Sequence, residues 1–346
     1  MSAGLLAFLI ALFASMTLTV PVRALALRVG MVDLPGPRKV HPQPIPLLGG
    51  LAMYGGVMLA IVFAFDGAAR AQSVGIVTGA TLVAAVGFLD DRGWLHHQIK
   101  LFVGMPLAAC ILLLSGIHVQ AFELLVPGRA GYWLDAALTV FWVVAITASF
   151  SILDHMDGLC AGVAATAAFF FAVLAFLNGQ IVVSTLAAAV FGAATGFLRW
   201  NFKPAKIFMG DGGAMFLGFL MATLALKLRL SQGSNASALL APLLILGVTI
   251  FDTTLVTISR ARRGLLPFAA PGKDHAAHRL ANLGLGQRGA VLTLYLLGAV
   301  SGASAVLICY IRANAALLFA AAVIVAMLFA VAMLEKAPYE RQAGKT

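Results

Sequence analysis

Apolar runs long enough to cross a bilayer recur along nearly the whole chain, and this spacing limits the possible folds more than any other feature. Eleven runs fall near 4–22, 46–65, 74–89, 101–118, 134–153, 160–177, 181–198, 213–230, 237–259, 289–311 and 313–334. Each is long enough, or nearly so, for a hydrocarbon core of about 30 Å. The third is short and continues past its charged end. Hydrophobic residues make up 62% of the chain and charged residues 10%, against roughly 45–50% and about 25% in soluble domains. The expected fold is therefore all-α: a polytopic integral membrane protein of about eleven transmembrane helices. No internal repeat, low-complexity tract or linker interrupts it, so 1–346 reads as a single transmembrane domain. The first run lacks a basic leader and reads as a spanning helix. Cys110, Cys160 and Cys309 lie in apolar runs and show neither disulfide nor zinc spacing.

Lys and Arg divide unevenly when counted on alternate sides of these runs. Five of the 23 fall on one side: Arg70, Arg129, Lys227, Arg229 and Arg312. The other eighteen fall on the opposite side, which the positive-inside bias places in the cytoplasm. The N-terminus is then expected outside and the C-terminus in the cytoplasm. The net charge of +10 follows from the same bias, and no nucleic acid partner is implied.

Most of the acidic clusters share the cytoplasmic side. The stretch "GFLDDRGWLHHQIKL" puts Asp90 and Asp91 side by side at the end of an uncharged run, with Lys100 nine residues on. A charge at mid-membrane costs about 2.5–3.5 kcal/mol, and neighbouring carboxylates repel, so something positive must compensate. Metal ions, or Lys and Arg holding phosphate, are the usual solutions. The pair reads as an acid site for Mg2+ or for proton abstraction, with Lys100 as a phosphate clamp. In "SILDHMDGLCAG", Asp154 and Asp157 are three apart, on one face of a helical turn, in a loop without Lys or Arg. In "RWNFKPAKIFMGDGGAMFLG", Lys203, Lys206 and the glycines around Asp211 precede a helix. Exposed backbone N–H groups there suit a phosphate, and Asp211 suits a bridging Mg2+.

"SRARRGLLPFAAPGKDHAAHRL" brings His275, His278 and Arg279 together behind Arg260, Arg262 and Arg263. No third zinc ligand is evident, and pyrophosphate or sugar contacts fit better. Asp252, inside the ninth run, either pairs with one of these arginines or faces the site. "PGPRKVHPQPIPLLGG" is a loop whose Arg38, Lys39 and His41 add cationic donors. The site loops thus lie near 23–45, 90–100, 150–160, 199–213 and 260–288.

Taken in order, "RKVHPQPIPLLGG", the Asp90–Asp91 pair, "DHMDGL", "NFKPAKIFMGDGG" and "DHAAHRL" resemble the polyprenyl-phosphate N-acetylhexosamine-1-phosphate transferases, glycosyltransferase family 4. The resemblance runs along nearly the whole chain. It is closer to the undecaprenyl-phosphate N-acetylglucosamine-1-phosphate transferases than to the phospho-N-acetylmuramoyl-pentapeptide transferases of peptidoglycan synthesis, which usually carry three consecutive histidines. Two positions depart from the pattern: Ser151 stands where the family commonly has Asn, and Ala277 where this branch often has His.

The resemblance implies transfer of a HexNAc-1-phosphate, foremost GlcNAc-1-phosphate, from a UDP-sugar to a membrane polyprenyl phosphate. UMP is released and a lipid-linked cell-envelope glycan is started at the inner membrane. It implies Mg2+, for which Mn2+ can substitute, held by Asp211 with Asp154. It further implies that Asp90 or Asp91 deprotonates the lipid phosphate and that Lys100 holds it. Phe208 stacks on uracil, Asn201 and Asp157 contact the nucleoside, and His275, His278 and Arg279 contact the pyrophosphate or sugar. Membrane lipid surrounds the protein, and a homodimer is compatible with this reading. A transporter of anionic or nucleotide-linked cargo is the rival from another class. It is disfavoured because the polar motifs share one face, whereas transport sites lie near the midplane.

Overall fold

In a computed structural model, residues 2–35, 43–123, 125–230, 235–266 and 272–338 are described. The chain divides into two compact units, Met1–Arg229 and Leu230–Thr346. The first holds α1 (Ala3–Arg28), β1 (Val32–Asp33), β2 (Ile45–Pro46), α2 (Gly49–Ala64), α3 (Gly67–Asp91), α4 (His97–Ile99), a π-helical turn (Lys100–Gly104), α5 (Met105–Leu114), α6 (Arg129–Leu153), α7 (Leu159–Leu177), α8 (Ile181–Asn201) and α9 (Gly210–Lys227). The second holds α10 (Asn235–Ile245), α11 (Gly247–Ala261), α12 (Ala276–Leu280), a second π-helical turn (Ala281–Leu285), α13 (Gly286–Ile308) and α14 (Ala313–Glu335).

Each of the eleven apolar runs lies mainly on helix, and the protein is an all-α polytopic membrane protein. Among the described residues, seven helices are long and apolar enough to span, or eight if α10 and α11, bent by 72°, form one span. The helices at 49–64 and 100–114 are apolar but shorter, so a count of eleven crossings rests on the sequence alone. Exposed Phe, Leu, Val and Trp side chains cover the surface, as a lipid-facing exterior requires.

Within the first unit, α9 is the central helix: every residue from Gly212 to Leu226 is buried. Helix α3 packs along it, as does α6. A helix that is apolar on all sides belongs inside a bundle. Helix α1 lies on α8, and α7 covers α8 from another side. Gly192 and Gly196, four apart on α8, face the backbone carbonyls of Phe8 and Leu12 so closely that a Cβ at either would collide with them. Small residues at this spacing let membrane helices approach backbone to backbone.

Among the described residues the one sheet is small. Val32 pairs with Pro46 and Asp33 with Ile45 in an antiparallel ladder. Leu47 then bridges Phe208, whose N–H donates to Pro46 O at 2.9 Å. This ties the end of the loop between α1 and α2 to the loop that precedes α9. Arg38, Lys39 and His41 lie outside the described residues.

In the second unit α13 packs against α10 and α14, and α11 against both α13 and α14. Only 11% of the spanning window of α14 is buried.

Gly196→Val should force α1 and α8 apart. We expect a loss of about 1–3 kcal/mol, as for other overpacked contacts, read as a lower thermal midpoint in detergent.

Candidate active site

Four helix ends of the first unit meet at one group of side chains. Asp90 and Asp91 are the last residues of α3, Lys100 opens the π-helical turn before α5, Ser151 is in the last turn of α6, and Asp211 is in the first turn of α9. Lys100 Nζ lies 2.7 Å from Asp90 Oδ2 and also donates to Asp211 Oδ2. Ser151 Oγ donates to the other oxygen of Asp211. The three charged side chains are 17%, 15% and 24% exposed respectively, so they are neither dry nor fully solvated.

Asp91 points elsewhere. Its Oδ1 accepts from Asp211 N at 2.8 Å and its Oδ2 from Gly212 N at 3.0 Å. These are the amides that the sequence reading reserves for a phosphate. They are already paired, because the α3 carboxylate has reached the N-terminus of α9 first.

Asp154 follows the last residue of α6. Burial, and after it the carboxylates of Asp211, Asp91 and Asp157, push its carboxyl well above the usual range. Asp90, Asp91, Asp154 and Asp211 thus outnumber the one lysine among them. Their donors are hard oxygens, the type that holds Mg2+ or Mn2+. Each carboxylate oxygen has two lone pairs, so Asp211 can keep its hydrogen bonds and still ligate. Asp211 and Asp154 thus fit the implied cation.

Asp157 and Asn201 hold loops together. Asp157 Oδ2 accepts from Ala205 N at 3.0 Å. Asn201, 3% exposed, accepts from Gly158 N at 3.1 Å and donates to Ile207 O at 3.0 Å. These bonds fasten the α6–α7 loop to the α8–α9 loop, just ahead of Phe208 and Asp211 in the chain. The structure thus gives Asn201 a scaffold task with both ends of its amide engaged. Phe208 is placed by its backbone, with its N–H on Pro46 O and its carbonyl accepting from Gly49 N.

In the second unit the histidine motif is built on buried ions. Asp252 pairs with the histidine motif itself. Its Oδ2 lies 2.8 Å from His275 Nδ1 and its Oδ1 accepts from Ala276 N at 2.7 Å, at the start of α12. The arginines take Asp274 instead: Arg260 grips both its oxygens at 3.0 Å, and Arg263 adds a third contact. Burial alone would raise the Asp274 carboxyl, but these two guanidinium groups hold it well below the usual range. Arg279 is wholly buried. It donates to Asp274 O, Leu334 O and Ser259 Oγ at 2.7–2.8 Å, and lies 3.1 Å from Glu335 Oε2. Its guanidinium ties α11, α12 and the end of α14 together. His278 is half-buried, one helical turn from His275, with ring centroids 6.5 Å apart.

Sequence reasoning brings Asp90, Lys100, Asp154 and Asp211 to one place; the structure joins Asp90, Lys100 and Asp211 directly and sets Asp154 within reach of the Asp211 charge. It missed the part played by Ser151, visible only as a departure from a family pattern, and the partner of Asp252.

A polytopic helical membrane protein with this carboxylate and lysine group has well-defined relatives. Residues 73–229 match the family described as Glycosyl transferase family 4. The chain is 36% identical to the "Probable undecaprenyl-phosphate N-acetylglucosaminyl 1-phosphate transferase" of Bacillus subtilis (strain 168), over 87% of this chain and 84% of the relative. It is 33% identical to the decaprenyl-phosphate N-acetylglucosaminephosphotransferase of Mycolicibacterium smegmatis, over 94% and 86%. It is 26% identical to the undecaprenyl-phosphate alpha-N-acetylglucosaminyl 1-phosphate transferase of Yersinia pestis, over 83% and 79%. The chain belongs to glycosyl transferase family 4.

Asp274→Ala should destabilise the second unit by about 3–5 kcal/mol, since it takes the shared carboxylate from the buried Arg260 and the part-buried Arg263. Asp274 titrates lower folded than unfolded, so its contribution is complete at neutral pH. It fades as pH falls below the unfolded value of about 4 towards the folded one. Thermal melts of both forms at pH 7 and at decreasing pH check this: the difference between them should shrink with acid.

Proposed function

We propose that this protein transfers N-acetylglucosamine-1-phosphate from UDP-N-acetylglucosamine to a membrane polyprenyl phosphate, releasing UMP. The observation that carries this reading is the meeting of Asp90, Lys100, Ser151 and Asp211 at the ends of α3, α6 and α9 and the π-helical turn before α5. The named activities of its relatives supply the substrates.

The acceptor phosphate approaches Lys100, whose ammonium has three N–H groups and uses two of them on Asp90 and Asp211. The third meets a phosphate oxygen. Asp90 takes the remaining proton of the acceptor phosphate. The oxygen so released forms a bond to the sugar-bearing phosphorus of the donor. The bond from that phosphorus to the bridging oxygen breaks, and the electron pair leaves with UMP. A Mg2+ or Mn2+ held by Asp211 and Asp154 would neutralise the pyrophosphate oxygens as charge moves onto the leaving group. Ser151 and Lys100 keep the Asp211 carboxylate fixed, so it is preorganised before substrate arrives.

The site faces the cytoplasm of the inner membrane in this reading, where nucleotide sugars are made. The distribution of Lys and Arg supports that orientation.

Asp211→Asn should lower UMP release by about 100-fold or more while the protein still melts cooperatively in detergent. Wild-type activity should disappear in EDTA and return with Mg2+ or Mn2+. Full activity in EDTA would remove the metal from the account.

In a background with Cys110 replaced by alanine, a cysteine at Gly179 should react with an impermeant reagent added to intact cells, and one at Arg92 should not. The opposite pattern would put the site outside.

A further inference from the structure

Two adjacent acids at the end of α3 do not share a direction. Successive residues on an α-helix point about 100° apart, so only one of the pair can face Lys100. That one is Asp90. Asp91 lies on the side of α3 that packs on α9. Four residues before it, Gly87 meets Gly212 of α9 backbone to backbone; a Cβ on Gly87 would stand 2.6 Å from Gly212 Cα. The backbones approach closely at this pair of glycines, which lets Asp91 reach the first amides of α9.

Those amides need it. The first N–H groups of a helix have no partner within the helix. A side chain just before the helix usually supplies one, but Met209, at that position in α9, supplies none. The cap comes from α3 instead, 120 residues away in sequence. Gly210 turns in with φ of +73°, and a Cβ on it would lie 2.5 Å from Asp91 Oδ2. The residue whose amide Asp91 holds, Asp211, also carries the carboxylate between Lys100 and Ser151.

We propose that Asp91 is a positioning residue: by capping α9 it fixes the backbone of Asp211, and so sets the affinity of the metal site, without touching the acceptor phosphate. This rests on the reading of Asp211 as a metal ligand. Asp90 alone then takes the acceptor's proton.

The test is Mn2+ binding by electron paramagnetic resonance on purified full-length protein in detergent, beside UMP release at rising Mn2+. Wild type and Asp211→Asn define bound and lost. Asp91→Asn keeps the size but loses the charge and one acceptor. It should raise the Mn2+ dissociation constant by about 10–100-fold, the range for residues that orient metal ligands, and excess Mn2+ should restore turnover to within about tenfold of wild type. Asp90→Asn should keep Mn2+ affinity and lose turnover that metal does not restore. Gly210→Ala disturbs the same junction from the α9 side and should behave like Asp91→Asn; it decides the question if Asp91→Asn does not fold. Wild-type Mn2+ affinity in Asp91→Asn with turnover lost at every Mn2+ concentration would overturn the inference and leave the function standing. A wild type that transfers in EDTA and binds no Mn2+ sensitive to Asp211→Asn would instead remove the metal reading, and the inference with it.

Discussion

One ammonium between two carboxylates holds the candidate active site together. Lys100 reaches Asp90 on α3 and Asp211 on α9 at once, and without it those acids would face each other at the edge of an apolar bundle. The medium makes the pairing compulsory. Charge is expensive beside hydrocarbon, so each ion in this protein must find an opposite charge, an amide or a ligand. Asp154 and Asp211 lie near enough for each to act on the other, and in the proposed reading they are the pair that holds the cation.

The same economy of charge explains acids that hold backbone amides. Asp91 caps α9 from a neighbouring helix, and Asp252 does the same for α12 while holding His275. Asp135, fully buried, accepts from the amides of Ala121, Phe122 and Glu123 and fixes the loop before α6. Arg279 is the cationic counterpart, spent on two carbonyls, a hydroxyl and Glu335. In a polar solvent these groups would be unremarkable surface residues; here they organise loops that water would otherwise have to solvate.

Much of this was legible in the sequence. Apolar length gives the helices, because a spanning helix must be continuous, and the adjacency of Asp90 and Asp91 marks the site, because such a pair is costly without a task. The division of labour between the two was not legible. It depends on which face of α3 meets α9, and helices apolar on every side carry no periodic stripe that would announce their partner. The same blindness hid the partner of Asp252, left open between an arginine and the site, which is His275, and Arg279, whose burial no local pattern signals. The short ladder of Val32–Asp33 with Ile45–Pro46 was missed because two residues carry no strand periodicity. Ser151 was noticed only as a departure; its bond to Asp211 joins residues 60 apart and has no signature in the chain.

The central claim is that a phosphorus–oxygen bond, and not the bond to the sugar carbon, is broken. Purified protein supplied with polyprenyl phosphate, UDP-N-acetylglucosamine and Mg2+ answers this in one reaction, with the nucleotide and lipid products identified by mass spectrometry. The account predicts UMP and a polyprenyl pyrophosphate-linked N-acetylglucosamine in equal amounts. Release of UDP with a monophosphate-linked sugar, or no nucleotide product at all, would contradict it.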